Sequence, residues 1–107
     1  MITITPAAAA QIQTSAIQGG TQGLALRIAA QRSPDGAIQY AMGFDDTRRA
    51  DDTRFTEAGI PLVVAGTSTI LLEGTTIDYV ELEAGRFEFI FMNPNDPNYR
   101  PPQDDNA

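Results

Sequence analysis

The sequence predicts one β-rich α+β domain, and three of its features support that class. The chain has 107 residues, the usual size of a single domain with one modest core. Most apolar residues alternate with polar ones, as in strands that bury one face. Only one segment, near the N-terminus, combines a helical spacing of apolar residues with an N-cap and a glycine stop. Strands should therefore form most of the fold.

The first helix is predicted at about residues 6–18, after a short strand at residues 2–5 in which Ile and Thr alternate. Thr5 is a suitable N-cap because its hydroxyl can accept a hydrogen bond from the first turn. Pro6 suits the first helical position because the N–H that it lacks would have no helical partner there. The pair Gly19-Gly20 supplies the left-handed stop expected past the end of the helix.

The remaining elements follow from alternation and from the turn formers between the alternating runs. The strand-like segments are residues 24–29, 38–44, the region around 55, and residues 60–65, 75–82 and 86–92. Turn formers at residues 32–36 join the first two into a hairpin. One helical turn is predicted at residues 68–73, before Gly74. The alternate phenylalanines from Phe87 to Phe91 share one face, where we expect core packing rather than a ligand pocket.

The charged segment of residues 45–52 is similar to a calcium-binding loop only superficially. It lacks the central Gly and the Glu at the twelfth position that an EF-hand loop requires. Charge runs are usually exposed, so we expect a solvated loop here. A hard-cation site is the less favoured alternative.

The composition removes most side-chain chemistry. The chain has no His and no Cys, so soft and borderline metals lose their usual ligands and nucleophilic triads cannot form. His is also the side chain best suited to acid-base catalysis near neutral pH, and it is missing here. Seven basic residues face 14 acidic ones, a formal net charge of -7 that opposes binding to a phosphate backbone. We expect neither an enzyme nor a nucleic-acid-binding protein, and no bound cofactor.

The two ends of the chain carry separate expectations. No apolar run approaches the roughly 18 to 20 residues of a bilayer span, and the N-terminus lacks the pattern of a signal peptide. We therefore expect a cytoplasmic protein without a membrane partner.

Residues 93–107 hold four prolines and few large apolar groups, so burial there cannot offset the entropy of ordering. The folded domain is predicted at residues 1–95, with a flexible C-terminal tail at residues 96–107.

The order of these motifs resembles the A-type iron-sulfur carriers, also called the HesB/IscA-like family, over nearly all of residues 2–95. The similar segments are residues 2–8, 23–27, 33–40, 59–60, 63–64, 68, 71, 74–75, 77–80, 87 and 93–95. The resemblance implies a barrel-like sandwich of two mixed sheets with a short N-terminal helix and a second short helix. It also implies iron-sulfur assembly factors as the context, and dimers or higher oligomers among the members.

The chain departs from this family at the residues that carry the family's activity. The resemblance implies one cysteine in the turn before the Tyr, where Asp35 stands, and two more after Asn-Pro-Asn, where Arg100 and Pro102 stand. Neither of these last two can bind iron, because Pro has no side-chain donor and Arg stays cationic. Asp35 is better explained by turn formation than by ligation. Cluster ligation by this chain is therefore not expected.

We predict a non-enzymatic accessory protein that keeps the carrier scaffold, holds no metal and acts by binding other proteins. The interaction region is expected at Asp35, Gly36, Asn93, Asn95, Tyr99 and Arg100. The partner would be an assembly factor, a carrier paralogue or a cluster recipient, and an acidic surface favours a basic one. A homo-oligomer is compatible with this prediction.

Two alternatives stay open. One is a small-ligand or hard-cation binding module that reuses the former cluster region, with Asp35, Tyr99 and carboxylates of residues 45–52 as candidate ligands. The other is iron carriage with ligands that a partner or a small thiol donates.

Overall fold

A computed structural model of the protein describes residues 2–97. Within this range lie seven strands and two helices. In chain order they are β1 (Thr3–Ile4), α1 (Pro6–Gly19), β2 (Ala25–Arg32), β3 (Ile38–Asp45), β4 (Thr53–Glu57), β5 (Ile60–Val64), α2 (Gly66–Leu72), β6 (Thr76–Glu83) and β7 (Arg86–Met92). The order is the predicted one, and the predicted boundaries lie within about three residues of the observed ones.

Two separate mixed sheets form the body of the molecule. One has the order β1-β6-β7, in which β1 runs parallel to β6 and β7 runs antiparallel to it. The other has the order β3-β2-β5-β4, in which only the β2–β5 pair is parallel. The β-rich α+β class with two mixed sheets is thus confirmed. Among the described strands, no ladder of hydrogen bonds joins the sheets into a closed barrel.

The core is built from both sheets and from one face of α1. Its buried residues are Ile2, Ile4, Ala8, Ala9, Ile12, Leu26, Ile28, Ala30, Ile38, Ile60, Leu62, Val64, Leu72 and Ile77. In β2 the alternate residues Leu26, Ile28 and Ala30 are buried, which is the alternation that predicted the strand. Burying a side chain as large as Ile28 or Leu62 stabilises the fold by roughly 1.5 to 3 kcal/mol.

Helix α1 begins and ends as its cap residues predict. The Thr5 hydroxyl accepts a hydrogen bond from the Ala8 N–H (3.2 Å) and donates one to Oδ1 of Asp78 in β6 (2.6 Å). Thr5 therefore caps the helix and ties it to the three-stranded sheet. After the helix, Gly20 adopts φ +69°, the left-handed conformation that costs glycine least. Neither α1 nor any other helix in the described range is long and apolar enough to cross a membrane.

The phenylalanine row of β7 is only partly a core element. Phe89 and Phe91 pack against the core, as predicted. Phe87 is 50% exposed and stacks on Tyr79 with ring centroids 5.6 Å apart, so core packing is wrong for this residue. The difference arises because β7 starts at a hairpin turn, beyond the part of the sheet that faces the core.

Arg27 of β2 binds the charged segment of residues 45–52. Its Nε donates to Asp45 (2.6 Å), and its two Nη atoms donate to the two carboxylate oxygens of Asp52 (2.9 and 2.8 Å). Nη2 also donates to the Thr47 carbonyl (2.9 Å). The Asp52 side chain is 2% exposed, so the prediction of a solvated loop is wrong there. Sequence alone did not show that β2 brings a guanidinium to these carboxylates, where it forms a two-pronged ion pair.

This cluster predicts a specific loss of stability in acid. Hydrogen bonds from Thr47 and then from Arg27 lower the pKa of Asp45 to about 2. The Arg27 guanidinium is the main reason that the pKa of Asp52 lies well below its ordinary value. Both folded pKa values are depressed, so the stability they contribute is complete above about pH 4 and is lost as the pH falls toward 2. Thermal unfolding followed from pH 7 to pH 2 should show this decline, and a midpoint that stays constant below pH 4 would contradict it.

Candidate functional site

The Asp35 turn, residues 33–37, joins β2 to β3 and is organised by the Asp35 carboxylate. Its Oδ1 accepts hydrogen bonds from the Ala37 N–H (3.0 Å) and from the Ser33 hydroxyl (2.9 Å). These two bonds lower the pKa of Asp35. Gly36 has φ +90°, a conformation that other residues rarely adopt. The carboxylate is thus ionised at neutral pH and already engaged with its own turn, as expected of Asp in a turn.

The Asn93 segment, residues 93–96, follows β7 and is anchored to the end of α2. Asn93 is fully buried, its Nδ2 donates to the Leu71 carbonyl (2.7 Å), and its Oδ1 accepts from the Asn95 N–H (2.9 Å). Asn95 Nδ2 in turn donates to the Glu73 carbonyl (2.8 Å). The last carbonyls of a helix lack hydrogen-bond donors within the helix. The side-chain amides of Asn93 and Asn95 provide these donors at the end of α2.

Tyr40 of β3 connects the Asn93 segment to the four-stranded sheet. Its hydroxyl donates to Oδ2 of Asp96 (3.0 Å), and its ring stacks on Phe91 of the other sheet with centroids 4.4 Å apart. Burial raises the pKa of Tyr40 to about 12, and the Asp96 carboxylate adds to the rise. The phenol is therefore protonated at neutral pH and acts as the donor in this bond.

The structure places the described residues of the predicted interaction region in two separate segments. Asp35 and Gly36 lie in the turn that leads into β3, and Asn93 and Asn95 lie in the segment that Tyr40 holds through Asp96. In residues 2–97, no direct hydrogen bond joins the turn to Asn93 or Asn95. The predicted Tyr99 and Arg100 lie outside the described residues.

Sequence reasoning missed Tyr40 and Asp96. The alternation of β3 places Tyr40 on the same face as Ile38, which gave a signal for partial burial. Nothing in the sequence paired its hydroxyl with a carboxylate 56 positions later in the chain. The sequence does not show that Tyr40 in one sheet and Asp96, which follows the last strand of the other sheet, lie close together in space.

The donor atoms of this region do not form a metal site. Within residues 2–97, no group of three or more His, Cys, Asp or Glu side chains could hold a metal ion. The whole chain also contains neither Cys nor His. Iron-sulfur clusters are held by thiolates and, in some cases, by imidazoles, so the residues present do not fit such a cluster.

Comparison with known proteins relates this fold and this region to one family. The family model described as iron-sulphur cluster biosynthesis matches residues 1–98. The chain is 36% identical to the iron-binding protein IscA of Salmonella arizonae and to that of Salmonella paratyphi B, over 94 residues that cover 88% of this chain and 86% of each relative.

Solved structures agree with the sequence comparison. The crystal structure of IscA with the [2Fe-2S] cluster is similar with a TM-score of 0.73 and 29% identity, over 88% of this chain and 86% of that one. Escherichia coli SufA, involved in biosynthesis of iron-sulfur clusters, is similar with a TM-score of 0.72 and 26% identity, over 92% of this chain and 85% of that one.

Proposed function

The chain belongs to the iron-sulphur cluster biosynthesis family, and from that premise we propose that it is a non-enzymatic accessory protein of cluster assembly that holds no cluster itself. It acts by binding another protein of the same process: an assembly factor, a carrier paralogue or a cluster recipient. One observation carries the proposal. A chain with neither Cys nor His folds like a protein whose structure was solved with a [2Fe-2S] cluster.

The engagement of the Asp35 carboxylate supports the absence of ligation. Oδ1 of Asp35 already accepts from the Ala37 N–H and the Ser33 hydroxyl, and within residues 2–97 Asp35 belongs to no group of three or more His, Cys, Asp or Glu side chains that could hold a metal ion. Protein binding needs no such group, because an ionised carboxylate at an exposed turn can attract a basic partner by itself. The absence of His also removes the one side chain whose ordinary pKa suits acid-base catalysis at neutral pH.

Reconstitution should leave the protein without a cluster. After anaerobic incubation with iron and sulfide, followed by desalting, we expect no visible sulfide-to-iron absorption and no stoichiometric iron. The positive control is the triple variant Asp35→Cys, Arg100→Cys and Pro102→Cys, which supplies a thiolate at each position that the resemblance assigns to a ligand. Brown parent protein with tightly held iron would contradict the proposal.

A second incubation with added glutathione tests the alternative in which a thiol supplies the ligands. If the parent gains visible absorption only in its presence, the chain carries iron with borrowed ligands and the proposal is wrong. If the parent stays colourless in both incubations, the proposal stands.

Partner capture tests the positive half of the proposal. Tagged protein in its native cells, washed at low salt, should retain a protein of cluster assembly, and Asp35→Asn should weaken that retention several-fold. This substitution keeps the Oδ1 acceptor of the turn and removes only the charge. The matched control is Asp46→Asn, which removes the same charge beyond the opposite end of β3, a strand roughly 23 Å long. Capture of no assembly factor or recipient, or equal loss in both variants, would refute the assignment.

A further inference from the structure

A groove of about 630 Å³ lies between the β2–β3 hairpin and α2. Its lining includes Arg32 and Gln39 of the hairpin, Arg49 of the loop after β3, and Thr67 and Leu71 of α2. Small-molecule sites in proteins usually measure about 300 to 1,000 Å³. Ala29 and Ala41, which line the groove, are a cross-strand pair of the hairpin.

The lining of this groove is basic in a protein that is acidic overall. It includes Arg32 and Arg49 and no Asp or Glu, although the chain has 14 acidic residues and 7 basic ones. A groove with a random share of the surface charge would be expected to carry carboxylates. The reversal of charge is local and concerns the residues around one cavity, which is typical of a site for an anion.

Both guanidinium groups keep donors for a ligand. Arg32 uses one Nη1 bond on the Gly36 carbonyl (2.7 Å), which orients the side chain and leaves its other N–H groups available. The backbone N–H of Arg49 donates to the Asp52 carboxylate (2.8 Å), so the loop that carries Arg49 is fixed to the Arg27 cluster. Within residues 2–97, neither guanidinium forms an ion pair.

We propose that this groove binds a small organic anion with at least two carboxylates, one for each arginine. The planar fork of a guanidinium matches a carboxylate with two parallel hydrogen bonds, and two such forks select a ligand with two separated acid groups. The amide of Gln39 and the hydroxyl of Thr67 provide further polar contacts, and Leu71 provides an apolar one. This site goes beyond the proposed function, because its ligand is a small anion and not a protein.

Calorimetric titration of the full chain with citrate at low salt tests the site. We expect one saturable site per chain with Kd below about 1 mM, and weakening when the ionic strength is raised. Arg32→Gln and Arg49→Gln should each weaken binding about tenfold, because each removes one fork. The matched control, Arg48→Gln, removes the same charge from the neighbouring exposed residue, which does not line the groove, and should bind citrate like the parent.

Three outcomes would overturn the proposal. Citrate heats that fail to saturate by tens of millimolar would show that there is no site. Equal weakening in Arg48→Gln and Arg49→Gln would show attraction to general surface charge. Inorganic phosphate binding more tightly than citrate would show a phosphate site instead of a polycarboxylate site. None of these outcomes affects partner capture, so the two proposals can fail separately.

Discussion

Replacing Arg27 with methionine is expected to lower the midpoint of thermal unfolding by roughly 10 °C, a large effect for one partly exposed residue. Methionine keeps much of the length of the side chain and removes the three donors that hold Asp45 and Asp52. The Asp52 carboxylate, whose side chain is 2% exposed, would then lose its ion-pair partner and keep only the Arg49 N–H and the weaker attraction of the Arg54 charge. Circular dichroism followed during heating at neutral pH measures the unfolding midpoints of parent and variant.

The matched control is Arg86→Met. Arg86 also forms ion pairs, with Glu88 at 3.1 Å and Glu83 at 4.0 Å, but its side chain is 64% exposed. Exposed pairs contribute little to stability, so this variant should unfold within about 2 °C of the parent. Equal shifts in the two variants would mean that the burial of Asp52 contributes nothing.

The pH dependence separates lost charge pairing from lost packing. In the parent, the depressed pKa values of Asp45 and Asp52 stabilise the fold at neutral pH and less so in acid. In Arg27→Met that contribution is missing, and protonation of Asp52 removes a charge that has lost its ion-pair partner. The difference in unfolding midpoint between parent and variant should therefore become smaller as the pH falls from 7 to 3. A difference in midpoint that came from packing alone would stay constant.

The helix ends and the strands could be predicted because their signals are local. Thr5, Pro6 and Gly20 act within one or two turns of chain, and the alternation of β2 reports only which face is buried. The second helix was less well predicted because its seven residues contain too few turns to show a period. It begins at Gly66, two residues before the predicted start.

The parts that sequence reasoning missed depend on contacts between distant elements. Arg27 and Asp52 are 25 positions apart, and Tyr40 and Asp96 are 56 apart. Arg27 and Asp52 meet beside the four-stranded sheet, whereas Tyr40 and Asp96 meet where the two sheets pack on each other, and charge signs alone show neither contact. The family resemblance did place the Asp35 turn and the Asn93 segment as the region of interest. It gave no information on how either is held.

Asn93→Ala should cost about 2 to 3 kcal/mol of stability, because the side chain is fully buried and both of its polar ends are used. The substitution removes the acceptor of the Asn95 N–H and one donor to the Leu71 carbonyl, and it leaves a small cavity. Chemical unfolding gives the free energy, and faster hydrogen exchange at the Asn95 amide should accompany the loss.

The control for this prediction is Asn95→Ala, which also removes donors to the Leu71 and Glu73 carbonyls but from an exposed side chain. Water can replace those donors, so the cost should stay below about 1 kcal/mol. An equal cost in both variants would show that capping of α2, rather than burial of Asn93, fixes the segment.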